Sequence, residues 1–143
     1  MPASKIYLVP VDFSKGSERA LDQAIKLAGA GKGKLLLVHV LATTLAFPLE
    51  VGFSDIFDTL EKDAREKMRR LVERKRLKSG QYRSMLVSGV DVARVIADQA
   101  RKSRASMIIM GSHGRTGLQR LMLGSIAERT LRYAKCPVLI VKK

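Results

Sequence analysis

A glycine-rich segment carries the clearest chemical signal in this chain: Gly111-Ser112-His113-Gly114-Arg115-Thr116-Gly117-Leu118-Gln119-Arg120-Leu121-Met122-Leu123-Gly124-Ser125. It follows an apolar run, Met107–Met110, and leads into a helical pattern that begins at Ser125. Glycines let a backbone approach a phosphate closely, and the first N–H groups of a helix point at an anion. Ser112 and Ser125 add hydroxyl donors, and the Arg115 guanidinium matches phosphate oxygens. The segment is not a Walker loop, because no Gly-Lys-Ser/Thr closes it, and its glycines are not spaced as GxGxxG. Composition alone leaves two readings open. One is a phosphate site, and the other is a flexible connection whose glycines serve turns and helix packing.

The remaining reactive residue types are few. Asp12 follows an apolar run, where a carboxylate either meets a ligand or caps a turn. His39 ends an apolar run and is expected to be a hydrogen-bonded core residue. His113 lies inside the glycine segment and is expected to be a solvated loop histidine rather than a phosphate contact or an acid–base group. The single cysteine, Cys136, precedes Pro137 and is expected to pack as a small apolar side chain. One cysteine excludes an internal disulfide and a four-thiolate zinc site, and the two histidines show no HExxH spacing, so no metal site is expected.

These residues need elements to position them. Ile6–Val11 reads as a strand buried on both faces, with Pro10 near its end. A helix follows, capped by Ser14 or Ser17, with Ala20, Leu21, Ala24, Ile25 and Ala28 on one face and Gly29, Gly31 and Gly33 at its end. Leu35–Val40 is a second buried strand. The apolar stretch from Leu41 to about Ser54 reads as a loop packed against a partner. A long helix is expected from near Asp55 to Ser79-Gly80, with Ile56, Leu60, Ala64, Met68 and Leu71 in register. Tyr82–Val87 is a weaker, edge-like strand, and Asp91 caps a helix that buries Val95, Ile96 and Ala100. Met107–Met110, a helix from Ser125, and a last strand Pro137–Val141 complete the order βαβαβαβαβ. That alternation means a parallel sheet with helices on both faces, in one domain spanning residues 1–143.

Twenty-seven Lys and Arg against thirteen Asp and Glu give a net charge of +14. Such a chain is drawn to polyanions. Nine of the basic residues, with only Glu66 and Glu73 between them, fall within residues 65–83: Arg65, Lys67, Arg69, Arg70, Arg74, Lys75, Arg76, Lys78 and Arg83. Without interleaved aromatics this stretch reads as a solvated helix face rather than a nucleic-acid footprint. No apolar run approaches the ~18–20 residues of a membrane span, and a soluble cytoplasmic protein is expected.

Gly111, two residues, Gly114, nine residues, then Gly124-Ser125 is the spacing of the ATP-binding branch of the universal stress proteins, and the sequence resembles that family over nearly its whole length. Val9-Pro10-Val11-Asp12-Phe13-Ser14, Leu37-Val38-His39-Val40 and Cys136-Pro137-Val138-Leu139-Ile140-Val141 are similar to the family as well. The chain departs from it at Ser106, where aspartate is frequent, and at Asp91, where proline is frequent. The resemblance implies an α/β, single-domain Rossmann-like fold of the adenine nucleotide alpha hydrolase-like type, strand order 3-2-1-4-5, dimeric through the last strand. It implies ATP between the first and fourth strands; AMP, ADP or a cyclic nucleotide are alternatives for the same pocket, and Mg2+ bound mainly through the phosphates is compatible with it. Asp12, after Val11, would meet ribose or adenine; Val40 would meet the adenine edge through its backbone; Pro10 and Met110 would line the base pocket. Gly111, Gly114, Gly124 and Ser125 would hold ribose and phosphates, with Ile126 continuing the helix-start contacts and Arg115 beside them. The implied function is a nucleotide-dependent stress-response switch. The alternatives are a slow ATPase, lacking a Walker lysine, and a basic nucleic-acid-binding module.

Overall fold

Alternation in the strands decides which face each helix covers. In the computed structural model, which describes residues 3–43, 53–113 and 122–142 without the side chains of Phe53 and Ser54, Tyr7, Val9, Leu35, Leu37 and Ile109 share one core with Leu21, Met68 and Leu71. Their neighbours Leu8, Leu36, Val38, Ile108 and Met110 share the other with Ile96, Ala100 and Ala127. The side-chain period of two in a strand produces this split.

The elements are β1 (Ile6–Pro10), α1 (Lys15–Gly31), β2 (Lys34–Ala42), α2 (Phe53–Arg74), β3 (Tyr82–Gly89), α3 (Val92–Ser103), β4 (Met107–Gly111), α4 (Ser125–Tyr133) and β5 (Val138–Val141). The sheet runs β3-β2-β1-β4-β5 and every pairing is parallel. Helices α1 and α2 cover one face; α3 and α4 cover the other. The inner strands are sealed on both sides: Leu8, Leu37 and Ile108 are fully buried, and truncating such a leucine to alanine costs about 2–5 kcal/mol. The outer strands β3 and β5 hold only half-buried and exposed positions, as edge strands do.

The strand direction and the edge position of β3 agree with the sequence pattern, and the sheet order with what the family resemblance implies. Three boundaries do not. Helix α2 stops at Arg74 instead of reaching Ser79-Gly80. Arg76 turns left-handed (φ 54°), and the Leu77 N–H closes on the Val72 carbonyl at 3.2 Å, drawing Leu77 against the core. At the end of α1 the left-handed cap is Lys32 (φ 55°), not a glycine, with its N–H donated to the Ala28 carbonyl. Gly33 is reserved for another reason: a Cβ there would lie 2.7 Å from the Tyr7 ring. The expected loop is also shorter at its start, because β2 continues to Ala42; residues 44–52 lie outside the described part.

Candidate functional site at the carboxyl ends of the strands

From β1 the chain moves outward to β2 and β3, then returns to lay β4 and β5 on the other side. The connections after β1 and β4 therefore leave in opposite directions and open a crevice between them. A cavity of about 460 Å³ sits there, within the usual size of small-molecule sites.

Its floor is the end of β1. Pro10 pairs with Val38 as the last residue of the β1–β2 ladder. The buried Val11 then donates its N–H to the Val38 carbonyl (2.8 Å). The Val11 carbonyl in turn accepts a hydrogen bond from His39 Nδ1 at 2.6 Å. His39 is thus the buried, hydrogen-bonded residue its sequence context predicts, and it also lines the cavity. Asp12 shapes the turn that follows: its Oδ1 accepts from the Ser14 N–H (2.9 Å) and from the Ser14 hydroxyl. Ser14, not Ser17, caps α1, and its Oγ accepts from the Ser17 N–H. Between them Phe13 adopts φ 66°, a conformation that a bulky residue takes only when its surroundings enforce it. Its ring lies 4.7 Å from that of His39, and Lys67 Nζ of α2 stands 5.9 Å from the Phe13 ring centroid.

One side wall is the free end of β2. Strand β1 stops beside Val38 while β2 runs on to Ala42, still paired to β3. Peptide groups alternate sides along a strand. Since the Val38 carbonyl faces β1, the N–H and C=O of Val40 point the same way, into the crevice where β1 no longer runs.

The opposite wall is the end of β4 and the start of α4. Here three glycines let backbones touch. A Cβ on Gly111 would lie 2.9 Å from the Gly16 carbonyl, one on Gly16 2.7 Å from the His113 carbonyl, and one on Gly124 2.8 Å from the Ser112 carbonyl. The Gly124 N–H donates to that same Ser112 carbonyl at 2.7 Å. Helix α4 starts at Ser125 with Gly124 as its cap residue, and no side-chain hydrogen bond caps it among the described residues. Its leading N–H groups, beside Ser125 and Ile126, open on the cavity, which is the arrangement that attracts an anion. His113 is not solvated as expected. It is half-buried against the cavity, its Nδ1 is 3.0 Å from the Ser112 hydroxyl, and its buried Nε2 has no hydrogen-bond partner among the described residues.

Of the residues singled out from sequence, Pro10, Val11, Asp12 and Val40 line the cavity with Met110, Gly111, Gly124, Ser125 and Ile126. Gly114 and Arg115 lie outside the described residues. The sequence did not mark Gly16, Phe13 or the α2 residues Phe57 and Lys67 as part of the site. Gly16 had a signal, since glycine in a first helical turn lowers helix propensity and needs a packing reason. Phe57 and Lys67 had none, because only the tertiary path of α2 brings them over the crevice. Elsewhere Cys136 packs half-buried against the α3–α4 core, and burial pushes its thiol pKa up. Among the described residues, no cluster of three or more His, Cys, Asp or Glu is placed to hold a metal, and no helix is long and apolar enough to cross a membrane.

The similarity to known proteins extends over the same elements. Universal stress protein MJ0531 of Methanocaldococcus jannaschii is 31% identical over 141 residues, covering 97% of this chain and 82% of its own. The solved structure of MJ0577 from the same organism superposes with a TM-score of 0.86 at 28% identity, covering 97% of this chain and 96% of that one. The universal stress protein of Archaeoglobus fulgidus in complex with dAMP shares the fold at 23% identity and a TM-score of 0.70, covering 99% of this chain and all of that one. The model of the universal stress protein family matches residues 4–142, and the chain belongs to that family.

Proposed function

We propose that the crevice binds an adenine nucleotide, ATP foremost, and that the protein works as a nucleotide-dependent switch in a stress response. The observation that carries this is the pairing of two unlike walls. Val40 offers one N–H and one C=O side by side at an apolar slot formed with Pro10, Val38 and Met110. That donor–acceptor pair complements N1 and the N6 amine of adenine and opposes the corresponding groups of guanine. Across the crevice, the uncapped start of α4 and the Gly111–Gly124 backbone contact suit phosphate oxygens. The A. fulgidus relative holds dAMP; at its identity it carries the fold across, and the residues of this chain carry the ligand.

Within this proposal Asp12, already accepting from Ser14, lies where ribose passes. Mg2+ would bind mainly through the phosphates, whose oxygens suit it. The exposed edge strand β5, with Leu139 uncovered, is the surface for a homodimer, and the cytoplasm is the proposed location. As a switch, the nucleotide shifts the protein between states only by binding one more tightly than the other. Calorimetric titration tests the ligand assignment: ATP binds in a one-to-one ratio per chain, and GTP at least about tenfold more weakly. Equal affinity for the two would sink the adenine assignment. Sedimentation of wild type against Leu139→Arg tests the dimer, which the substitution should dissociate.

A further inference from the structure

In a sheet whose strands are all parallel, with a helix after each of the first four, the strand starts and the helix ends share one face. On this molecule that face lies opposite the crevice. Lys5, Lys32 and Lys34 lead into β1 and β2, and Arg76, Lys78 and Arg83 lie around the start of β3. Arg101, Lys102 and Arg104 close α3, and Lys135 precedes β5. All ten are exposed, and none forms an ion pair with the described residues. Backbone hydrogen bonds knit these stretches side by side: Lys34 N–H to the Lys5 carbonyl (2.8 Å), Leu35 to Gln81 (3.0 Å), Ser106 to Ile6 (2.8 Å) and Ile108 to Pro137 (2.9 Å). A recess of about 320 Å³ between the first residues of β1, β2 and β3 has Lys34 and Arg83 in its lining.

Helix dipoles favour cations at helix ends, but only within the last turn. They account for Arg101 and Lys102 and leave Lys5, Lys34, Lys78, Arg83 and Lys135 without a reason. A second observation concerns backbone. Lys32, Arg76 and Arg104 all stand in left-handed conformations (φ 54° to 55°). Glycine takes that position at lowest cost, and a side chain there adds roughly 1 kcal/mol. Three turns thus keep a cation where a neutral glycine would be easier.

We propose that this face binds the phosphate backbone of duplex nucleic acid without reading sequence. The five strands span about 19 Å at ~4.8 Å spacing, and that length of duplex axis carries about eleven phosphates. Among the described residues, the exposed large apolar side chains are Leu27, Leu60, Val90, Met122, Leu123, Ile126, Leu131 and Leu139; none lies in the connections that carry these cations, and Leu131 alone falls in the last turn of a helix that ends here. It therefore lacks the anchors of a membrane-surface site. Tyr82 packs against the core, and the ring of Tyr133 at the end of α4 is covered by the Arg94 guanidinium at 3.8 Å, so no described aromatic here offers an open platform for unpaired bases. The basic run on α2 is a different case. Arg65, Lys67, Arg69, Arg70, Arg74 and Lys75 are all matched to carboxylates of α2 or α1.

The test is binding of a fluorescent 20-base-pair duplex across a salt series. The variants are Lys34→Gln/Arg83→Gln/Lys102→Gln/Arg104→Gln and, as a charge-matched control, Arg65→Gln/Arg69→Gln/Arg70→Gln/Arg74→Gln. Wild type should lose affinity steeply with salt. The first variant should flatten the slope of log K against log salt by about 3 to 4, near 0.9 per lost phosphate contact, while the control stays within about threefold of wild type. Unchanged thermal melting and ATP titration in both variants establish that each is folded, so failure here is separable from failure of the nucleotide site. Equal losses in the two variants would reduce the effect to net charge and overturn the proposal. So would absence of duplex binding by wild type, or binding to phosphatidylserine vesicles at least as tight as to duplex and lost in the same variant.

Discussion

At the carboxyl ends of the strands, the connections 11–14, 43–52, 90–91 and 112–124 hold three carboxylates and two arginines. At the amino ends, the connections 32–33, 75–81, 104–106 and 134–137 hold six lysines and arginines and no carboxylate. The first end is concave, apolar and built on close backbone contacts at Gly16, Gly111 and Gly124. The second is charged, exposed and turned by Lys32, Arg76 and Arg104. A parallel sheet makes its two ends chemically independent, because strand carboxyl ends collect helix N-termini and strand amino ends collect helix C-termini. One chain can therefore hold a small anion at one end and a large one at the other.

The sharpest way to break that independence is at the carboxyl end. Gly124→Val places a side chain against the Ser112 carbonyl, which belongs to the backbone and has no rotamer to yield. ATP affinity should fall by about a hundredfold or more, some 2.7 kcal/mol, measured by calorimetry, with duplex binding unchanged. Loss of both would mean that the ends are coupled. The amino-end variant comes next: its duplex salt slope flattens while its ATP affinity stays within about twofold of wild type. A smaller effect is expected from Ser14→Ala, which removes the α1 cap below Asp12. Stability should drop by about 1 kcal/mol in urea denaturation, and ATP binding should weaken more than duplex binding does. The smallest effect concerns α2. The Arg69 guanidinium, hydrogen-bonded to Glu66 and aided by Arg70, lowers the Glu66 carboxyl to about pKa 2. A depressed carboxyl stabilises the folded state fully above its unfolded value of about 4.3, and that contribution is lost as pH falls through about 2. NMR titration should find the Glu66 midpoint near there in wild type and higher in Arg69→Gln. A normal midpoint in wild type would mean that the α2 cations are not self-neutralised, and the contrast with the amino end would weaken.

Local signals made the strands and the crevice legible. Apolar runs such as Leu35–Val38 have no reading other than burial on both faces, and the Gly111–Ser125 spacing marks its own place after a strand and before a helix. What the sequence concealed was assembled by topology. The basic run at 65–83 stands out because its charges are consecutive, yet most of them meet carboxylates one helical turn away or on α1. The amino-end surface is scattered over five stretches between Lys5 and Lys135 and becomes one face only when the strands align. His113 shows the same limit at smaller scale. Its neighbours in sequence are loop-like, and the close neighbours it meets are the starts of α1 and α4, which reach its backbone at Gly16 and Gly124. Lys32 was hidden by three nearby glycines that better fit a left-handed turn.

The most direct measurement is mass spectrometry of the small molecules released when the purified protein is denatured, run beside Gly124→Val and followed by ATP titration of any ligand-free sample. An adenine nucleotide released near one per chain from wild type, and none from the variant, is the predicted result. A wild type that releases no nucleotide and then takes up none from added ATP would contradict nucleotide binding at the carboxyl end of the sheet.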